Sequence, residues 1–204
     1  METKNPVEII ELLEENFPNA ISELTHADPF QLLIATILSA QCTDERVNKV
    51  TPILFGRYPT PQMLSEADPV DVIEIIKSTG FFNNKARNIM GASKKIFTDF
   101  EGKVPDTMEQ LIILPGVARK TANVVLYNSF GKNEGIAVDT HVKRLSQLLG
   151  LTQNSDPEKI EKDLMEIFPK DKWGFLSQSL VLYGRYYCKA KKHDETKCFL
   201  GGHI

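Results

Sequence analysis

Apolar residues recur at three- and four-residue spacing through VEIIELLEE, PFQLLIATILS, PVDVIEIIKS, EKIEKDLMEIF and FLSQSLVLYGR. Each is the stripe of an amphipathic helix packed on a core. No stretch alternates apolar and polar residues between hairpin turn signals, so the pattern predicts an all-α protein of about ten helices. Four helix starts share one punctuation: Asn5-Pro6, Asp28-Pro29, Asp68-Pro69 and Asp156-Pro157. In each, an Asx side chain is placed to cap free backbone N–H groups, and proline fills the first helical position, where its missing N–H costs nothing. No fixed-period repeat, low-complexity tract or Gly/Ser linker divides the chain, so its domains depend on how the helices pack.

One stretch departs from plain helix. In DTMEQLIILPGVARKTANVVLYNSFG a helical pattern from Asp106 is cut at Pro115-Gly116 and resumes from Ala118 to Tyr127. Proline ends the first helix, Gly116 accommodates a positive φ, and the hairpin leaves the N–H groups of the second helix pointing outward. Such a tip suits a DNA backbone phosphate, although Leu-Pro-Gly turns also make ordinary αα-corners. Lys120 adds chemistry. It sits in the first turn of the second helix, where the macrodipole opposes a cation. That field, with partial burial beside Val124 and Val125, favours the neutral amine, the form that attacks carbon and makes Schiff bases. Asp139, in GIAVDTHVKRLSQLLG, reads first as the cap of a helix starting at Thr140. A carboxylate held there stays ionised and can also accept a proton or stabilise a cationic sugar.

Composition narrows the setting. With 42% hydrophobic and 25% charged residues, the chain can bury one sizeable core or two smaller ones. No apolar run reaches the roughly 18 residues of a membrane span, and METKNPVEIIELLEENFPN lacks a secretory signal. The expected location is the cytoplasm. The net charge of −3 does not by itself announce nucleic acid. One local basic patch does exist, with Arg185, Lys189, Lys191, Lys192 and Lys197 set against Asp194 and Glu195, though it also fits a solvated surface. The 3 cysteines are too few for a disulfide framework. Cys188, His193, Cys198 and His203 fall at even spacing in the tail and raise the question of a metal.

LPGVARKTA followed by AVDTHVKR resembles the helix-hairpin-helix and catalytic-aspartate segments of the endonuclease III family of DNA glycosylases and AP lyases. LLIATILSAQCTDERVNK resembles that family's helix-and-loop segment near the front, STGFFNNKARNI its second DNA-facing loop, and LYGRYYC the approach to its iron–sulfur loop. The resemblance covers nearly the whole chain in family order. It implies a six-helix barrel with the hairpin over residues 23–133, a second helical domain from 1–22 and 134–204, and an active site in the cleft between them. Its implied partner is double-stranded DNA carrying damaged bases or abasic sites, met by a monomer.

Carried over position by position, Lys120 is the nucleophile toward C1′ and Asp139 the essential carboxylate. Lysine here argues for the bifunctional branch over relatives that only remove a base, and Lys120 with Asp139 argues against a non-catalytic DNA-binding relative. Gln41 matches the residue that fills the space left by a flipped nucleotide, and Phe81 an apolar wedge between base steps. On composition alone these are a helix-end glutamine and a core phenylalanine. Leu114, Gly116, Ala118 and Arg119 are implied backbone contacts at the hairpin, and Arg185, Lys189 and Lys191 in the tail. Ala118 stands where the family often has a second hairpin glycine; it either costs about 1 kcal/mol in a left-handed backbone or already begins the helix. The tail departs further. Family members usually end in C-x6-C-x2-C-x5-C holding a [4Fe-4S] cluster. From Cys188 the remaining positions fall on Glu195, Cys198 and Ile204, so two thiolates are missing and no cluster or other metal is expected. Whether His193 and His203 join Cys188 and Cys198 around zinc stays open at this level.

Overall fold

A computed structural model describes residues 5–201. Over them the chain forms eleven α-helices and no strand: α1 Pro6–Asn16, α2 Pro29–Leu38, α3 Asp44–Arg57, α4 Pro61–Ser65, α5 Pro69–Ile76, α6 Phe82–Asp99, α7 Met108–Leu111, α8 Arg119–Phe130, α9 Thr140–Leu148, α10 Pro157–Ile167 and α11 Trp173–Tyr186. All four Asx-Pro starts cap as expected. Asn5, Asp28, Asp68 and Asp156 accept from the N–H groups of Val7, Gln31, Val70 and both Glu158 and Lys159, at 2.8–3.1 Å. Threonines do the same work at Thr43, Thr60 and Thr107. No helix among the described residues is long and apolar enough to cross a membrane.

Two segments differ from the sequence expectation. The first arm of the hairpin is shorter, beginning at Met108 after the Thr107 cap and ending at Leu111. In STGFFNNKARNI, read as a loop, a 3₁₀ turn ends at Thr79 and α6 begins at Phe82, so only Gly80 and Phe81 lie outside helical turns. The α6 stripe of Ala86, Ile89, Ala92 and Ile96 is buried, and that tertiary contact extends the helix back to Phe82.

The chain divides into two compact units, Ser22–Phe130 and the discontinuous Met1–Ile21 with Gly131–Ile204. In the first, α2 is the centre: Phe30 and Leu32 through Leu38 are buried, and the helix contacts α3, α6 and α8. A helix apolar on all sides needs neighbours on all sides. In the second, α11 packs on α1 and α9, with α10 also against α9, around Ile9, Leu13, Val142, Leu145, Ile160, Leu164, Leu176 and Leu180. An aromatic cluster closes this core. Phe199 meets Tyr183 at 4.7 Å and Tyr187 at 5.3 Å between ring centres, while Phe17 at the end of α1 meets Tyr187 edge-on at 5.7 Å.

Candidate active site

The hairpin is built from below. Leu111, Leu114 and Val117 are buried, and the N–H groups of Leu114 and Val117 donate to the carbonyls of Leu111 and Leu114 at 3.0 and 3.1 Å. Gly116 has φ +78°, and a Cβ there would stand 2.8 Å from Asn88 Cβ on α6. Only glycine satisfies both constraints. Leu114, expected at the DNA surface, has its side chain in the core at 2% exposure, so only its backbone is available to a ligand. The residues the sequence reading passed over are Ile112 and Ile113, 47% and 53% exposed on the same turn. Ala118 is not left-handed; its carbonyl accepts from Ala122 N–H at 3.0 Å as the residue just before α8.

The first turn of α8 carries Arg119 and Lys120 and no acidic residue. Lys120 is exposed, so the partial burial expected beside Val124 and Val125 is not supplied: Val125 points into the core and Val124 is half-buried. What distinguishes the lysine is its place at the positive end of a twelve-residue helix, directly after the hairpin.

Asp139 caps α9. Its Oδ1 accepts from His141 N–H and Val142 N–H, both at 2.8 Å, which fixes the half-buried carboxylate through its own backbone. The approach to it is pinned as well. Ile136 N–H donates to Glu161 at 3.2 Å, and Ser177 Oγ donates to the Ala137 carbonyl at 2.9 Å. Gly184 lets α11 approach α9, since a Cβ there would lie 2.7 Å from His141 Nδ1.

Gln41 and Phe81 share a backbone property that composition does not reveal. Both have positive φ, 52° and 49°, and both are exposed, Phe81 at 65%. The reading from composition fails for Phe81, which is outside the core, whereas Gln41 does lie in the turn that ends α2. A non-glycine residue held left-handed with its aromatic ring in water is locally unfavourable. Beneath the loops lies Lys85, buried on α6, whose Nζ donates to the Thr79 carbonyl at 2.7 Å. Burial pushes its amine below the usual lysine range, and the Cys42 thiol next to Gln41 partly opposes the shift.

Residues 34–170 match the HhH-GPD superfamily of base excision DNA repair proteins. Endonuclease III of a Synechocystis species is 56% identical over 193 residues, covering 95% of this chain and 88% of the relative. The chain belongs to the endonuclease III family. Among solved structures, a non-covalent endonuclease III–DNA complex and a trapped endonuclease III–DNA covalent intermediate each superpose with a TM-score of 0.91 at 41% identity. Each covers 98% of this chain and 94% of theirs.

In this member of the family the tail keeps its basic residues in reach of solvent: Lys189, Lys191 and Lys192 are exposed and Arg185 is half-buried. Cys188 and Cys198 are buried and stand with His193 so that one donor atom from each lies within 4.8 Å of the others. The family's four-iron cluster needs four thiolates, and this group offers two. Glu195, at the second cluster position, is exposed and outside the group; His203 and Ile204 lie outside the described residues. Besides Ile112 and Ile113, sequence reasoning passed over Lys85, Asn88 and Arg144. Each acts through a contact that no local spacing encodes.

Proposed function

We propose that the protein is a bifunctional DNA N-glycosylase and AP lyase of base excision repair, removing oxidised pyrimidines from duplex DNA and cutting the strand by β-elimination. The observation that carries this is Lys120, an exposed amine in the first turn of α8, one residue beyond Arg119 at the end of the hairpin. The covalent DNA intermediate trapped with a 41% identical relative supports the same chemistry.

In this reading the hairpin at Gly116, Ala118 and Arg119 takes a backbone phosphate through N–H groups and the guanidinium. The damaged nucleotide is flipped out at a cost of a few kcal/mol. Phe81 wedges the stack, and Gln41 offers amide donors and acceptors to the orphaned base. Lys120 Nζ bonds to C1′ while the C1′–N bond breaks and the base leaves with its electron pair. Asp139 accepts the amine proton and steadies positive charge on the sugar. Ring opening gives a protonated imine on Lys120. Loss of a C2′ proton then expels the 3′ phosphate, and water releases the amine. Arg185, Lys189 and Lys191 add phosphate contacts.

We also infer that the family's [4Fe-4S] cluster is not carried, since Glu195 is a poor ligand for soft iron and only Cys188 and Cys198 supply thiolates. Acting on DNA places the protein in the cytoplasm, with the nucleoid if the source is bacterial or archaeal. Borohydride treatment on duplexes bearing thymine glycol or an abasic site tests the lyase. The native protein is expected to form a covalent adduct, and its failure to do so overturns the assignment.

A further inference from the structure

The tail holds a donor set that the repair chemistry does not use. Cys188 Sγ, a ring nitrogen of His193 and Cys198 Sγ lie within 4.8 Å of one another, with both thiols buried and the imidazole half-buried. A tetrahedral ion about 2.3 Å from sulfur and about 2.0 Å from nitrogen separates its ligand atoms by roughly 3.5–3.8 Å. A group this tight suits one ion. A four-iron cluster interposes its own iron and sulfide between thiolates and holds them farther apart.

The histidine is already oriented as a ligand. Its Nδ1 lies 2.9 Å from the Lys191 carbonyl oxygen, a contact that assigns the proton to Nδ1 and leaves Nε2 as an acceptor or ligand atom. Nε2 points at Cys198 Sγ, 3.1 Å away. Anchoring the far nitrogen on a carbonyl is how proteins fix the tautomer and ring plane of a metal-bound imidazole. Second partners are present for the sulfurs too. Arg144 approaches Cys188 Sγ at 3.7 Å and donates to the Cys188 carbonyl at 2.5 Å, while the Tyr183 hydroxyl, which accepts from Leu200 N–H at 3.3 Å, lies beside Cys198. A guanidinium and a phenol beside two buried sulfurs offset the charge that ligating thiolates carry. A histidine–cysteine hydrogen bond alone would require neither the second thiol nor the arginine.

We propose that Cys188, His193 and Cys198 hold a single soft divalent cation, zinc in the cell, with the fourth position filled by water or one further donor. This goes beyond the repair activity and replaces the family's cluster chemistry with a structural tie between the end of α11 and the tail. Metal analysis of full-length protein purified without oxygen, from medium supplying both iron and zinc, is expected to find stoichiometric zinc and little iron. Reloading with cobalt(II) is expected to give thiolate-to-cobalt absorption and the visible bands of a tetrahedral ion. Cys198→Ser removes most of the thiolate absorption. His193→Ala, at a half-buried position that leaves helical circular dichroism intact, keeps that absorption but weakens cobalt affinity at least about tenfold. Stoichiometric iron with four-iron absorbance overturns the proposal. So does a Cys188–Cys198 disulfide in the freshly purified protein, or a cobalt titration without a thiolate band. Trapping through Lys120 is read separately and is unaffected by either result.

Discussion

The starts of α8 and α9 handle the same local problem in opposite ways. Both helices begin with N–H groups that have no partner within the helix itself, and with a partial positive charge. At α9 the carboxylate of Asp139 takes two of those N–H groups at 2.8 Å, the arrangement local stability prefers. At α8 there is no acidic residue in the first turn, and Arg119 and Lys120 stand there instead, each opposed by the dipole by about 0.3–1 kcal/mol. A residue that breaks a local rule calls for a test of function. One that obeys the rule already has a structural role, and the two need different experiments.

The largest expected effect is at Lys120. Lys120→Ala abolishes the borohydride-trapped adduct and lowers strand cleavage by on the order of 10³ or more. The melting temperature holds or rises slightly, because an unfavourable dipole contact goes. An early melt with trapping intact would make the lysine structural and erase the contrast. At Asp139 two substitutions separate cap from charge. Asp139→Asn keeps the cap, so stability stays within about 0.5 kcal/mol, while Asp139→Ala loses about 1 kcal/mol. Both are expected to lose about 10²–10⁴-fold in turnover. Full activity in the Asn variant would reduce Asp139 to a cap.

Next in size comes the hairpin that presents α8. Gly116→Ala costs about 1–2 kcal/mol in backbone strain alone, before Asn88 is displaced, whereas Ala118→Gly stays within about 1 kcal/mol; thermal melts of the two compare them directly. Phe81→Ala leaves stability within about 0.5 kcal/mol, where a core phenylalanine would lose about 3–5, and its loss is read in weaker binding to a lesion-bearing duplex. Smallest is Lys191→Ala, which lowers the slope of log affinity against log salt by about one for DNA. An unchanged slope removes the tail from the interface.

The all-helical class and every Asx-Pro start were legible because capping is a contact within three residues. So was Asp139 as a cap. The exposure of Lys120, the burial of Leu114 and the start of α6 at Phe82 were not, since each depends on what packs against the segment. Phe81 is the clearest case: composition makes it core, yet a left-handed backbone turns the ring into water. The tail was half legible. Even spacing drew attention to Cys188, His193 and Cys198, but the Lys191 carbonyl that orients the imidazole and the Arg144 that reaches Cys188 emerge only from the fold.

The aromatic cluster of Phe17, Tyr183, Tyr187 and Phe199 joins residues from opposite ends of the sequence. During synthesis at about 5–20 residues per second, Phe17 leaves the ribosome on the order of ten seconds before Tyr187 and Phe199. Ser22–Phe130 is contiguous in sequence, so all of its chain is made within that interval. Assembly of the other unit therefore waits for residues made after Tyr183, and a nascent chain stalled before them has every residue of the hairpin unit but not of the core that carries Asp139.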